Sequence, residues 1–336
     1  MYETNNLERD IRVLLEAHNV IGISGAPGIG KSEITYQVAK DLGLSLMEVR
    51  LYELGSSSAG LPLLKEEITT FSKPWWFKQA EEQRPDIIFF DDFHSVPREI
   101  QKFFYRLLTD RTIHNYKLPY NPKIILAGNF NIESAGAAII ESPVMGRFEV
   151  MLHYKPSIDV FLKWAYKQED RFDTRVLAFL KINPDKLYTE DPPPTSKFPS
   201  PRNWEHLSKN ISVTNSPDYA PGIVGTETGL IFQDFWDYLN RSLENIIHTK
   251  PSDLKEQVVF AVVLATEYQN RYKSPKDEKL ILDYVTKNLP PDAMLLFARQ
   301  VVQKVPVATI IERWRSKYPK LFKALLEISK KMQQYQ

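Results

Sequence analysis

The eight residues Gly25-Ala26-Pro27-Gly28-Ile29-Gly30-Lys31-Ser32 carry the clearest chemistry in this 336-residue chain. They fit G-x-x-x-x-G-K-[ST] at every position, with an apolar strand candidate (Val20 to Ser24) before them and helical periodicity from Ser32 to Leu42 after them. Glycines let a loop turn its backbone N–H groups inward with no Cβ in the way. A helix starting at the loop aims its unpaired N–H groups and the positive end of its dipole at the same point. There Lys31 reaches the β- and γ-phosphates of a nucleotide, and the Ser32 hydroxyl ligates magnesium. A nucleoside triphosphate, ATP first, with Mg2+ is the ligand expected.

A second signal is Ile87-Ile88-Phe89-Phe90-Asp91-Asp92, an apolar run closed by two acids. Such a strand end holds the hydrated magnesium. Asp91 is the metal-side acid, and Asp92 stands where a water-activating carboxylate is expected. The competing reading of Asp92 is a helix cap at the strand end.

The elements that must position these groups follow from periodicity. Strand candidates are Leu46 to Leu51, Asp86 to Phe90, Lys123 to Ala127 and Phe148 to Leu152, with helices over residues 1 to 18 and Arg98 to Leu108. Residues 53 to 75 read as irregular. Apolar strands alternating with helices predict an α/β unit, a parallel sheet covered on both faces. After Pro156 helical segments alternate with proline-rich stretches, and from about residue 220 all strong patterns are helical. Boundaries are therefore expected near 155 and 213, giving parts 1–155, 156–212 and 213–336.

Composition excludes several chemistries. Without cysteine there are no disulfides, zinc thiolates or cysteine nucleophiles. The six histidines lack metal-ligand spacing. The longest strongly apolar run, Val258 to Ala265, is far short of the ~20 residues that span a bilayer. The polar start MYETNNLERD lacks the apolar core of a signal peptide, so a cytoplasmic protein with no membrane partner is expected. A formal net charge of +1 argues against nucleic acid as partner.

Three further segments suggest a family. Ile125-Leu126-Ala127-Gly128-Asn129 looks like a sensor-1 strand ending in its polar residue. Ser142-Pro143-Val144-Met145-Gly146-Arg147-Phe148 is similar to the segment carrying the arginine finger. Ser200-Pro201-Arg202-Asn203-Trp204 resembles the sensor-2 start of a lid. In order and spacing the set resembles the MoxR-like AAA+ ATPases, of the helix-2-insert group that also holds dynein-like motors, over residues of about 15 to 210. The resemblance implies a P-loop AAA+ sheet of strand order 5-1-4-3-2, a helical lid over 156–212 and an all-helical C-terminal domain over 213–336. It also implies ATP hydrolysis in a ring, usually a homohexamer, that remodels a protein partner, often one with a von Willebrand A domain. Under it Asn129 orients the attacking water, Arg147 reaches the γ-phosphate of the neighbouring subunit, and Arg202 senses phosphates from its own lid. The stretch from Gly55 to Pro62 and the hairpin region Arg111 to Pro122, with Tyr116 and Tyr120, fall where this group faces its pore or substrate.

One departure weakens the activity relative to the binding. The family usually ends its Walker-B strand in Asp-Glu, and here it is Asp-Asp, one methylene shorter at the general base. This leaves a hydrolysis-impaired, nucleotide-gated scaffold as one alternative, and a nucleic-acid-directed motor, using ATP or GTP, as another. Competing structural readings also stand: a salt bridge for Arg147, helix-start packing beside Trp204 for Arg202, Arg111 as a rival finger, and a hydrogen-bonded structural role for His94. Trp75 and Trp76 are read as core or interface anchors, and the C-terminal lysines Lys320, Lys323, Lys330 and Lys331 as a solvated helix face.

Overall fold

A computed structural model describes residues 1–51, 59–65, 67–130, 140–168, 171–193, 195–239 and 243–333. The chain forms two compact units. The first holds residues 1–160, 188–196 and 200–202, and the second residues 161–187, 197–199 and 203–336.

The strands of the first unit are β1 (Tyr2–Thr4), β2 (Val20–Ser24), β3 (Leu46–Arg50), β4 (Pro62–Lys65), β5 (Ile68–Phe71), β6 (Ile87–Asp91), β7 (Thr112–Ile113), β8 (Tyr116–Lys117), β9 (Lys123–Gly128) and β10 (Val150–Tyr154). Six of them pair in one sheet of order β1-β10-β2-β9-β6-β3, parallel throughout. The five strands from β10 to β3 follow the expected 5-1-4-3-2 order, and β1 adds an edge strand to it. The α/β P-loop fold expected from the sequence is present.

The central strands are apolar at nearly every position because both faces are buried. Successive side chains alternate between faces. Ile21, Ile23, Ile87, Phe89, Ile125 and Ala127 pack with Ile11, Leu15, Val38 and Ala39 from the helices Leu7–Ala17 and Lys31–Asp41. Val20, Ile88, Phe90, Ile124 and Leu126 pack on the other side with Trp76, Phe77, Phe104 and Leu107 from the helices Trp75–Gln83 and Arg98–Asp110. Of the tryptophan pair, Trp76 is wholly buried and Trp75 is exposed.

Three local expectations change. Residues 1 to 18 are not one helix: Tyr2–Thr4 pairs with β10, and the helix starts at Leu7, where the Asn6 side chain accepts the Arg9 N–H at 3.2 Å. Within the stretch read as irregular, β4 and β5 form an antiparallel hairpin, while residues 52–58, which include Gly55, lie outside the described residues. The last core strand starts at Val150, two residues later than expected. It takes in His153 and Tyr154, whose polar atoms hide the strand pattern although both are buried.

The hairpin aromatics pack on their surroundings. The Tyr116 hydroxyl donates to the Phe71 carbonyl at 2.8 Å, Lys73 Nζ lies 4.9 Å from the Tyr116 ring centre, and Phe71 stacks on His114 at 3.8 Å. Tyr120 packs at the edge of the core. By contrast, Leu63, Leu64 and Ile68 of the β4–β5 hairpin are 41%, 78% and 65% exposed.

Arg111 closes the helix Arg98–Asp110. It is buried, and its guanidinium donates to the carbonyls of Leu108 at 2.7 Å, Pro122 at 2.9 Å and Asn19 at 3.4 Å. Cations satisfy carbonyls well at a helix C-terminus. Burial lowers its pKa from the usual arginine value, opposed by Glu149 and Asp110. A side chain consumed in this way is not a rival finger.

The second unit is helical. Phe179, Trp204, Phe232 and Phe235 form one aromatic core, with ring centres 5.2 to 6.2 Å apart. The helices Leu254–Arg271 and Pro291–Val302 supply another, as their apolar runs predict, through Val258 to Ala265 and Leu296 to Ala298. Tyr268 links that core to its rim: its hydroxyl accepts from Trp314 Nε1 at 3.1 Å and donates to Glu278 at 2.9 Å. Among the described residues no helix is long and apolar enough to cross a membrane.

Removing the Arg111 guanidinium takes its hydrogen bonds from the carbonyls of two buried residues, Leu108 and Pro122, while the Asn19 carbonyl keeps the Ile124 N–H. Arg111→Met is expected to lower the unfolding free energy by about 3 kcal/mol, read from the denaturant midpoint.

Candidate functional site

The loop Gly25–Ser32 joins the C-terminal end of β2 to the helix Lys31–Asp41. Its start is tied to the neighbouring strand, Gly25 N–H to Gly128 O at 3.2 Å, and its end to the helix, Ile34 N–H to Gly30 O at 2.9 Å. Gly28 and Gly30 have φ of 75° and 98°, in the left-handed region that favours glycine. A Cβ on Gly28 would also lie 2.9 Å from Ser200 Oγ.

Lys31 is buried, and its ammonium donates to the Gly25 and Ala26 carbonyls at 2.8 Å each. Burial brings its pKa down to about 8, against the pull of Asp91 and Asp92. At neutral pH the loop thus holds a positive charge on carbonyls of its own backbone, which phosphate oxygens can replace.

Asp91 ends β6, and its carboxylate accepts the Ser32 hydroxyl. Burial raises the Asp91 pKa, and the Ser32 hydrogen bond opposes this. The half-buried Asp91 carboxylate and the Ser32 hydroxyl together offer hard oxygen donors. Among the described residues no group of three or more acids, histidines or cysteines could hold a metal. Mg2+ keeps several waters and takes one or two protein oxygens along with substrate phosphates, a share that the Asp91 carboxylate and Ser32 hydroxyl could supply.

Asp92 follows with φ 56° and ψ 37°, left-handed, at the start of the turn Phe93–Ser95. Its N–H donates to Asp91 Oδ1 at 2.9 Å, and its carbonyl accepts from the Ser95 N–H and hydroxyl. Asp92 takes the N-cap position of that turn, but its carboxylate makes no capping hydrogen bond. Aspartate tolerates this backbone better than longer side chains do.

Asn129 follows β9, which pairs with β2 on one side and β6 on the other. Its N–H donates to His94 Nδ1 at 3.3 Å, which puts any proton of neutral His94 on Nε2. Burial lowers the His94 pKa, opposed by Asp92. His94 is therefore a hydrogen-bonded group that ties the turn after β6 to the end of β9.

Arg202 is exposed and starts the helix Pro201–Thr214. Its N–H donates to the Gly28 carbonyl at 3.2 Å, and its charge acts on Lys31, lowering the Lys31 pKa. Its place is thus at the loop, alongside buried Ser200. Sequence reading did not single out Ser200, although its adjacency to Pro201-Arg202 and the need for a glycine at 28 are the signals that mark it. Arg147 stands elsewhere, in the turn after the helix Ser142–Met145. Its guanidinium donates to the Pro143 carbonyl and lies 4.9 Å from the Tyr105 ring centre. It makes no salt bridge among the described residues.

The structure thus gathers Gly25, Ala26, Pro27, Gly28, Ile29, Gly30, Lys31, Ser32, Asp91, Asp92, Asn129 and the start of Arg202 at the C-terminal edge of the central strands. That is where open parallel sheets bind ligands.

Comparison with known proteins agrees on the domain. Residues 21–155 match the family described as "ATPase family associated with various cellular activities (AAA)". No curated protein matches the sequence. Among solved structures, NtrX from Brucella abortus in complex with ADP is 14% identical, with 97% of this chain and 68% of that chain covered and a TM-score of 0.43. A point mutant of Thermotoga maritima RuvB is 13% identical, with 94% and 96% covered and a TM-score of 0.38. Over residues 21–155 the chain is thus similar to the AAA ATPase family, and its sheet has the α/β P-loop AAA+ fold.

Proposed function

We propose that the protein binds and hydrolyses ATP with Mg2+ as a MoxR-type subunit of an oligomeric ring, and that the ring remodels or matures a protein partner. The observation that carries this reading is the meeting of Lys31, Ser32 and Asp91 at one strand edge, with Asp92 and Asn129 beside them. The loop N–H groups and Lys31 hold the polyphosphate. Ser32 and Asp91 hold the magnesium, which supplies charge neutralisation on the phosphates. Asp92 takes the proton of the attacking water, and Asn129 orients that water. Arg202 senses the phosphates within its own subunit, and Arg147 reaches the nucleotide of the next.

Residues 156–212 serve as lid and 213–336 as a C-terminal helical domain. A protein partner is supported by the apolar hairpin β4–β5, whose exposed Leu63, Leu64 and Ile68 suit a polypeptide better than a phosphate backbone. A homohexamer and a partner with a von Willebrand A domain extend the same reading.

Turnover of ATP by the purified protein, rising with protein concentration as subunits assemble, is the expected outcome. Lys31→Ala should abolish it. Asp92→Asn should lower kcat by about 100-fold or more with nucleotide affinity kept, and Arg147→Ala should lower it by about 10³-fold or more. Turnover indifferent to all three would refute the mechanism. Binding without turnover at any concentration would instead identify a nucleotide-gated scaffold.

The Lys31 pKa of about 8 adds a pH signature. Bound phosphate favours the charged ammonium and raises that pKa. Binding therefore takes up a proton above pH 8, and affinity should fall as pH rises through 8, by up to about tenfold per pH unit. Calorimetry in buffers of different ionisation heat at pH 7 and pH 9 measures the uptake. Uptake of about a tenth of a proton at pH 7 and of most of a proton at pH 9 is the expected pair of results.

A further inference from the structure

Arg147 has an unusual set of partners. It is half-buried and makes no salt bridge among the described residues. Its Nε is buried without a hydrogen-bond partner, and Nη1 is held by the Pro143 carbonyl. What faces the guanidinium is the ring of Tyr105, 4.9 Å from its centre. A ring face attracts and orients a cation without neutralising it as a carboxylate would. The charge stays available to an anion supplied from outside.

The ring itself is fixed. The Tyr105 hydroxyl donates to the Glu141 carboxylate, and the Glu141 N–H donates to Gln101 Oε1 at 3.2 Å. Buried Gln101 in turn donates to the Val96 carbonyl at 3.2 Å. Gln101 and Tyr105 lie one helical turn apart on Arg98–Asp110, and Val96 closes the turn that begins at Asp92. A continuous path of contacts thus runs from the strand end that carries Asp91 and Asp92 to the arginine.

We infer that Tyr105 is the positioning residue for Arg147: it presents a guanidinium, paired with no carboxylate among the described residues, to a polyphosphate bound by a neighbouring copy of this chain. The inference rests on the proposed ATPase and deepens it by naming the residue that aims its trans-acting cation. Tyr105 touches no reacting atom. Its loss should lower kcat with KM for ATP little changed, because the nucleotide pocket of its own subunit is untouched.

Mixed oligomers test this. Lys31→Ala subunits keep Arg147 but cannot turn over, and Arg147→Ala subunits keep the pocket but lack the arginine. Mixing the two should restore activity. Adding Tyr105→Leu to the Lys31→Ala chain should cut the restored rate by about 10- to 100-fold, the scale of a misplaced catalytic group. Adding it to the Arg147→Ala chain should leave that rate unchanged. Tyr105→Phe, which keeps the ring, should restore most of the activity. Tyr105→Met, which fills the space with no ring, carries the same expectation as Tyr105→Leu if the leucine variant does not fold.

Full restoration with Tyr105→Leu on the arginine-donating chain overturns the inference and leaves the ATPase reading standing. Equal loss from either chain also overturns it, by making Tyr105 a structural residue. If Arg147→Ala alone keeps full turnover, the trans-acting arginine itself falls, and the role of Tyr105 falls with it.

Discussion

The structure depends on holding one ammonium group out of water. Lys31 is buried in its own loop with two backbone carbonyls as hydrogen-bond partners, and burial weakens its charge. An isolated buried cation is costly. Two acids offset part of that cost, and they arrive from a different strand. Asp91 and Asp92 lie far from Lys31 in sequence and are brought close only because β6 sits one strand beyond β9 in the sheet. A parallel sheet puts all its strand C-termini on one edge, so it can collect a loop, two acids and a polar strand end without any of them being neighbours in sequence.

This explains which features were legible in the sequence. The phosphate loop, β6 and β9 announce themselves because their chemistry or apolarity is contiguous. Ile87 to Phe90 is apolar at every position because alternate residues enter different cores. The features that were not legible are pairings between distant segments. Strand β1 has three residues, too few for a period, and exists through its register with Leu152, His153 and Tyr154. The β4–β5 hairpin keeps several apolar residues in solvent, which breaks the usual inside–outside alternation. The clamp of Arg111 on carbonyls at 19, 108 and 122 leaves no trace in local composition. The contact between Gly28 and Ser200 spans more than half the chain.

Asp92 illustrates how a local departure from a family pattern can have a backbone reason. Its left-handed conformation bends the chain away from the end of β6 into the turn Phe93–Ser95. That bend lets His94 return to the Asn129 N–H, joining the acid-bearing strand to the polar end of β9. A short acidic side chain fits this conformation better than a longer one. The residue type therefore answers to the turn as well as to any chemistry on the carboxylate, and the shorter reach does not by itself argue against a catalytic role.

The three arginines that the sequence brings forward separate by what satisfies their charge. Arg111 spends its guanidinium on carbonyls at a helix end, where the dipole already favours a cation. Moving it outward would take that donor from the Leu108 and Pro122 carbonyls. Arg202 fixes its backbone rather than its side chain, through the bond from its N–H to the Gly28 carbonyl, so its guanidinium stays exposed near the loop that would hold its own subunit's ligand. Arg147 has its orientation set by an aromatic face and one carbonyl, and among the described residues no carboxylate pairs with its charge. Position in sequence distinguishes none of these. The partner groups do, because an arginine can stabilise charge on a distant phosphate only to the extent that nothing nearer has already taken it up.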